Sequence, residues 1–198
     1  MHIEFPNQSV LVTGAVRGIG RGIAHGFAAR GATVYASDIL ADGLQETVAT
    51  ANPANGGSIL ARPLDVTDFA AVSALVAEIE AASPSGQVDI IVHSAGGVRS
   101  KAKQPIEDVS AEDWQAIFDV NVNGAFNVVK SAVPGMKRGG KGRIVVISSP
   151  AGLRTSLTGI QSYAMSKAGQ IGLVRQLAQE LGPFGIRVNS VAPGFMAT

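Results

Sequence analysis

The sequence predicts an α/β fold, a doubly wound parallel sheet in a single domain over residues 1–198, and three observations lead there. Short runs rich in β-branched residues alternate with longer, alanine-rich amphipathic stretches, the pattern of βα units. The first apolar run passes directly into a helical pattern through Gly14, Gly18 and Gly20. No repeat, linker or low-complexity tract divides the chain. With 198 residues, 46% hydrophobic and 16% charged, the chain is long enough for one sizeable core.

The elements follow in order. A first strand is expected over residues 9–13, where Val10, Leu11 and Val12 form a continuous apolar run, as strands covered on both faces do. A helix over 18–30 follows, then a strand over 33–37 and a helix over 42–50. Next come a strand over 58–64, a helix over 68–82 and a strand over 88–93 ending at His93. One long helix is predicted over 111–137, opened by Ser110 and Asp113 at capping-box spacing. A fifth strand lies over 143–148, and a helix over 161–181 stops at Gly182 and Pro183. The sixth strand is 186–191. Gly56, Gly57, Pro84, Ser85, Gly86, Gly139 and Gly140 fall in connections.

Composition removes several classes of function. A formal net charge of +1 creates no long-range field for nucleic acid or an anionic membrane. The absence of cysteine excludes disulfides, thiolate catalysis and cysteine-ligated metals, and three isolated histidines offer no metal-ligand spacing, so no metal is expected. Met1 to Asn7, with Glu4 and Pro6, resembles neither a signal peptide nor a membrane span, so a cytoplasmic enzyme is expected.

The turn from Thr13 to Gly20 is where a dinucleotide is expected. Gly14 allows a tight turn, Gly18 a close backbone approach and Gly20 the packing of helix on strand, with Arg17 and Ile19 between them. Helix amides and the positive end of the helix dipole would face a pyrophosphate. The alternative is a tight turn in an ordinary α/β protein. Asp38, about 20 residues past the turn, is placed to accept hydrogen bonds from the adenosine ribose and to repel a 2′-phosphate. That favours NAD over NADP. Arg17 pulls the other way, and a solvated Asp at a strand end is the plainer alternative.

Tyr163 and Lys167 stand four residues apart in a helical stretch, on one face and about one turn from each other. An ammonium and an oxidised nicotinamide would both favour the phenolate, making Tyr163 a general acid/base. Taken alone, the pair reads equally as a surface tyrosine beside a solvated lysine. Ser148 and Ser149 end the fifth strand, at the end of the sheet where such folds bind ligands.

Thr13 to Gly20, Asp65, His93 to Gly96, Asn121, Ser149, Tyr163 with Lys167, and Pro193 with Gly194 together resemble the ordered motifs of the short-chain dehydrogenase/reductase family. The likeness covers practically the whole chain. It implies a Rossmann fold in which Ser149 bonds the substrate oxygen, Tyr163 exchanges its proton, and Lys167 binds the nicotinamide ribose. It also implies that Asn121 holds a water relaying protons from Lys167, that Asp65 in Asp65-Val66 contacts the adenine, and that Ala95, Gly96, Pro193 and Gly194 border the cofactor. Ser149 is preferred to Ser148 for its offset from Gly152. Two departures stand out. His93-Ser94-Ala95-Gly96 replaces the family's Asn-Asn-Ala-Gly, and His93 is read as a structural strand-end residue. Family members also continue past Thr198 through a further helix and strand, so those elements are expected to lie outside these 198 residues.

The expected partner is a small alcohol or carbonyl substrate. An NAD-dependent dehydrogenase of a secondary alcohol, polyol or hydroxy acid is the first reading. An NADPH-dependent ketoacyl reductase and a dinucleotide-sensing regulator are the rivals. Arg99, Lys101, Lys103 and Arg154 admit an anionic substrate, or are simply solvated. The helices over 111–137 and 161–181 carry Ile117, Val120, Ile171, Leu173, Val174 and Leu177 on more than one face. With the family resemblance, this leads to the expectation of a homo-oligomer, a tetramer or dimer.

Overall fold

Six strands lie parallel in one sheet: β1 Ser9–Thr13, β2 Thr33–Asp38, β3 Ser58–Pro63, β4 Ile90–His93, β5 Gly142–Ile147 and β6 Ile186–Val191. The structure is a computed structural model and describes residues 3–98, 104–157, 159–194 and 196. The strand order is β3-β2-β1-β4-β5-β6. The chain therefore begins at the centre, runs outward to β3, returns to the centre at β4 and runs outward to β6. Thr13, at the end of β1, stands opposite Ser37 on one side and His93 on the other. This reversal opens a crevice beyond the carboxyl ends of β1 and β4, where doubly wound sheets take their ligands.

The helices are α1 Gly18–Ala28, α2 Ala41–Ala49, α3 Phe69–Ala82, α4 Ala111–Phe118, α5 Gly124–Gly139 and α6 Gln161–Leu181. Alternation along each strand divides the core into two layers. Leu11, Ile91 and Ile144 face α3, α5 and α6, where Val72, Ile79, Val128, Met136 and Val174 cover them. Val10, Val12, Val34 and Ile90 face α1 and α2, against Ala24, Ala28 and Leu44. Each fully buried aliphatic side chain contributes about 1.5–3 kcal/mol, which is why the middle of β1, Val10 to Val12, is apolar without a break.

Most boundaries fall within two residues of expectation. Asp68 lies outside α3 because its carboxylate accepts from the Ala71 N–H at 3.0 Å as a cap, and Ser110 caps α4 by accepting from the Asp113 N–H at 3.1 Å. β4 starts two residues late, although Asp89 still donates its N–H to the Ser9 carbonyl.

The long helix over 111–137 is a larger departure. It is broken into α4 and α5 by a π-helical turn, Asp119–Asn123. The buried Asn121 side chain sits in that turn, accepting from the Gly97 N–H at 2.9 Å and donating to the Gly97 carbonyl at 3.2 Å. A side chain that serves a neighbouring loop in this way stabilises the widened turn, and such turns concentrate at functional sites.

The apolar residues expected on several helix faces are largely covered within the chain. Ile117, Ile171 and Val174 are buried, Val120 and Leu177 pack on the core, and Leu173 is half-buried. Phe126 of α5 and Met165 of α6 are exposed instead. Among the described residues, no helix is long and apolar enough to cross a membrane.

Candidate active site

The glycine turn is shaped by backbone contact. Gly14 has φ +68°, and a Cβ there would come 2.7 Å from the Ala95 nitrogen, so the turn lies directly on the Ser94–Ala95 backbone. Gly18 also has positive φ, at +53°. A Cβ on Gly20 would overlap the Gly14 carbonyl oxygen, so α1 can seat on the turn only without one. Arg17, exposed, precedes α1 without a side-chain cap, so among the described residues the Gly18, Ile19 and Gly20 amides open the helix with no partner on it. These glycines and free amides are a cradle that fits a dinucleotide pyrophosphate.

Asp38 ends β2 beside this turn. One carboxylate oxygen accepts from the Val16 N–H at 3.3 Å and the other from the Leu40 N–H at 3.2 Å. A carboxylate offers about four acceptor positions, so two remain for ribose hydroxyls. Asp65 is exposed past β3, and its Oδ1 accepts from the Thr67 N–H at 2.9 Å and hydroxyl at 2.8 Å. It caps its own loop and keeps its second oxygen. Val66 is buried, its carbonyl accepting from Asn127 Nδ2 at 3.0 Å.

Thr13 and His93 join the two central strands above the crevice. Thr13 Oγ1 accepts from the N–H groups of Ser94 and Ala95, both at 3.2 Å, and lies 3.0 Å from His93 Nδ1. The threonine's one proton must then go to Nδ1, which places the imidazole proton on Nε2. Burial, with the Lys167 charge second, pushes His93 down to about 3, so the ring is neutral. His93 thus serves as a clamp between strands.

The reactive cluster closes the other side. Lys167 Nζ lies 5.7 Å from the centre of the Tyr163 ring, one helical turn away. It donates to the Ile147 carbonyl at 2.9 Å and to Gln170 Oε1 at 3.0 Å. Burial lowers Lys167 to about 8, which leaves it largely cationic at neutral pH. Ser149 follows β5, and its Oγ accepts from the Ala151 N–H at 3.2 Å, leaving its proton to donate. Ser148 differs. Its hydroxyl donates to the Val191 carbonyl at 3.2 Å and accepts from Ser190 Oγ at 2.6 Å, so it is committed to β6.

Gly152, in the turn after Ser149, would bring a Cβ 2.6 Å from the Ala168 nitrogen. The turn therefore presses Ser149's segment against α6 beside Lys167. Gly96, at φ +139°, would bring a Cβ within 3.7 Å of Lys167 Nζ and onto Asn121 Oδ1. Pro193 and Gly194 leave the same end of the sheet beyond Val191. Arg99, Lys101 and Lys103 lie outside the described residues.

Sequence reading missed three residues. Gln170, fully buried, donates from Nε2 to the Asn121 carbonyl at 2.6 Å. Ser166 accepts from Asn121 Nδ2 and donates to the Tyr163 carbonyl, both at 2.8 Å. Asn127 holds the loop after β3. Each is a polar residue on an amphipathic helix, and helical periodicity alone does not separate such a residue from one facing solvent. A polar cavity of about 350 Å³, lined in part by Gln8, Asp89, Lys141 and Arg143, lies at the opposite, amino-terminal end of the strands, away from this chemistry. Among the described residues, no three His, Cys, Asp or Glu side chains gather as a metal site would require.

Comparison with known proteins places the chain in a family. The family model for short chain dehydrogenase matches residues 8–198. Oxidoreductase UcpA of Salmonella typhimurium is 40% identical over 195 residues, which are 98% of this chain and 72% of that protein. The 3-oxoacyl-(acyl-carrier-protein) reductase FabG of Escherichia coli is 38% identical over 196 residues, 99% of this chain and 76% of that one. A short-chain type dehydrogenase/reductase from Mycobacterium ulcerans superposes with a TM-score of 0.92 at 37% identity, covering 99% of this chain and 70% of its own. Levodione reductase gives a TM-score of 0.89 at 31% identity, over 96% and 72% of the two chains. The chain belongs to the short-chain dehydrogenase/reductase family, and it is an NAD(P)-dependent oxidoreductase acting on CH–OH groups.

Proposed function

We propose that this short-chain dehydrogenase/reductase interconverts a small secondary alcohol, such as a polyol or hydroxy acid, with its ketone, using NAD in preference to NADP. The observation that carries the reading is the convergence at one end of the sheet of a buried Lys167 ammonium, the Tyr163 ring 5.7 Å from it, and a Ser149 hydroxyl with its proton uncommitted. The nicotinamide, when bound, supplies the site that accepts or delivers hydride. The Gly14 to Gly20 turn would hold its pyrophosphate, Asp38 the adenosine ribose, Asp65 and Val66 the adenine side, and Ala95, Gly96, Pro193 and Gly194 its flanks.

The protein's residues then divide the proton chemistry. Ser149 donates to the substrate oxygen and fixes its position. Tyr163 takes the hydroxyl proton during oxidation and returns it during reduction. Lys167 favours the phenolate through its charge and offers an N–H to the nicotinamide ribose. Asn121 holds the loop at Gly97 and, through its backbone carbonyl, Gln170.

A second reading, reduction of a 3-oxoacyl thioester with NADP, is favoured by the FabG relative and by Arg17, exposed at the mouth of the turn. The Asp38 carboxylate opposes it through repulsion of a 2′-phosphate. A homo-oligomer built on the helices at 111–139 and 161–181 is proposed, supported by the exposed Phe126 and Met165. A cytoplasmic setting is proposed alongside it.

The test is a panel of secondary alcohols, ketones and 3-oxoacyl thioesters run with each dinucleotide. The expected result is a higher kcat/KM with NAD, and a preference reduced by about 30-fold in Asp38→Ala, which loses charge-assisted bonds to the ribose and the repulsion of phosphate. Faster turnover with NADP, confined to 3-oxoacyl thioesters, would establish the second reading instead.

A further inference from the structure

We infer that Gln170 is a positioning residue for the reactive cluster: its side-chain amide fixes where the Lys167 ammonium sits and how strongly it acts on the Tyr163 phenol. This rests on the reading of Tyr163 as the proton-exchanging group. Gln170 lies one turn beyond Lys167 on α6 and has no exposed surface. A fully buried glutamine is an uncommon core residue. Here its Oε1 accepts from Lys167 Nζ at 3.0 Å and its Nε2 donates to the Asn121 carbonyl at 2.6 Å.

The chemistry of the partners fixes the amide's orientation. An ammonium only donates and a backbone carbonyl only accepts, so oxygen must face Lys167 and nitrogen must face Asn121. An ammonium has three N–H groups, and two are committed to the Ile147 carbonyl and to Gln170. One remains for the ribose or the phenol. Its direction is set by the other two acceptors, and Gln170 is the one supplied by a side chain. The bridge continues from Asn121 through Ser166 to the Tyr163 carbonyl, which ties the placement of the ammonium to the backbone carrying the phenol.

The surrounding charges leave this role to Gln170. Among the described residues, the titratable groups facing Lys167 are Tyr163 on its own helix and His93 from the end of β4. His93 is neutral, and β5 and the π turn contribute backbone carbonyls and the amide of Asn121 rather than a carboxylate. Burial disfavours the ammonium. The Gln170 carbonyl favours it, so removing that carbonyl weakens the cation that supports the phenolate.

The test uses the full chain with Gln170→Met, which keeps length and loses both bonds, and Gln170→Glu, which places an anion against Lys167. Two readouts are taken: the pH profile of kcat/KM for alcohol oxidation, and the titration of Lys167 in ε-carbon-13-lysine-labelled protein without cofactor, assigned with Lys167→Arg. Gln170→Met is expected to lower the Lys167 midpoint and Gln170→Glu to raise it. Both are expected to move the rising limb of the profile to higher pH by about half to one unit, a roughly 3- to 10-fold loss at a fixed pH on that limb. An unmoved Lys167 midpoint and limb in Gln170→Met, whatever happens to its thermal stability, overturns the proposal and leaves Gln170 a packing residue. If that variant does not fold, an unmoved midpoint in Gln170→Glu overturns it equally. A Tyr163→Phe variant with native turnover would instead sink the reading of Tyr163 itself, while the cofactor-free Lys167 titration would still report on Gln170.

Discussion

The two halves of the sheet build their parts of the site by different means. Around β1 to β3, the cradle is made by backbone approach: Gly14 against Ala95 and Gly20 against Gly14, with no room for a side chain at either contact. Around β4 to β6, the cluster is made by buried side chains that bond one another within α6, Lys167 with Gln170, and that reach from α6 to the π turn, Gln170 to the Asn121 carbonyl and Ser166 to the Asn121 amide. The first half is sensitive to volume and the second to charge and hydrogen bonding. Substitutions in one should therefore fail differently from those in the other.

The sharpest contrast comes from Gly20→Val. Its side chain would overlap the Gly14 carbonyl, so dinucleotide binding measured by calorimetry should be lost, and unfolding free energy from denaturant titration should drop by about 2–4 kcal/mol. Native stability in this variant would break the steric half of the comparison. Ser149→Ala should do the reverse, losing only the cap bond to Ala151, about 1 kcal/mol, and keeping dinucleotide affinity while kcat falls by about 10²–10³-fold, the usual cost of one donor to a reacting oxygen. Ser148→Ala is its control. That hydroxyl serves Val191 and Ser190, so a small loss of stability with nearly native kcat is expected. Equal losses of kcat in the two serine variants would remove the distinction between them.

The last effect is one of pH. The folded-state value of His93 is about 3, against an ordinary 6.5. Between those values the unfolded chain takes up a proton that the folded chain refuses, so stability is full above about pH 6.5 and falls as pH drops towards 3, by up to about 1.4 kcal/mol per pH unit. His93→Asn should have a shallower decline than the native chain when denaturant midpoints at pH 7 and pH 4.5 are compared. Parallel declines would show that the imidazole is not held neutral by its surroundings.

The same contrast explains what could be read from sequence. The strand positions, the glycine turn, Asp38 and the Tyr163–Lys167 pair follow from local patterns, because a glycine at a close approach and two residues one turn apart have fixed spacing. α6 matches its expected range of 161–181 residue for residue. The π turn at Asp119–Asn123 was not legible, since one extra residue in a turn barely alters apolar spacing. Nor was Gln170, whose side chain is met by the π turn from a distant part of the chain. The preference for Ser149 over Ser148 came from the family resemblance and its offset from Gly152, and the physical difference between the two needed the position of β6, which engages the first.

Tyr163→Phe tests the central claim most directly, with turnover and dinucleotide affinity measured on the same preparation. The expected result is turnover reduced by about 10³-fold with affinity changed by no more than a few-fold, as follows if the phenol exchanges the substrate proton and the cradle lies on the other half of the sheet. Native turnover in the phenylalanine variant would contradict it.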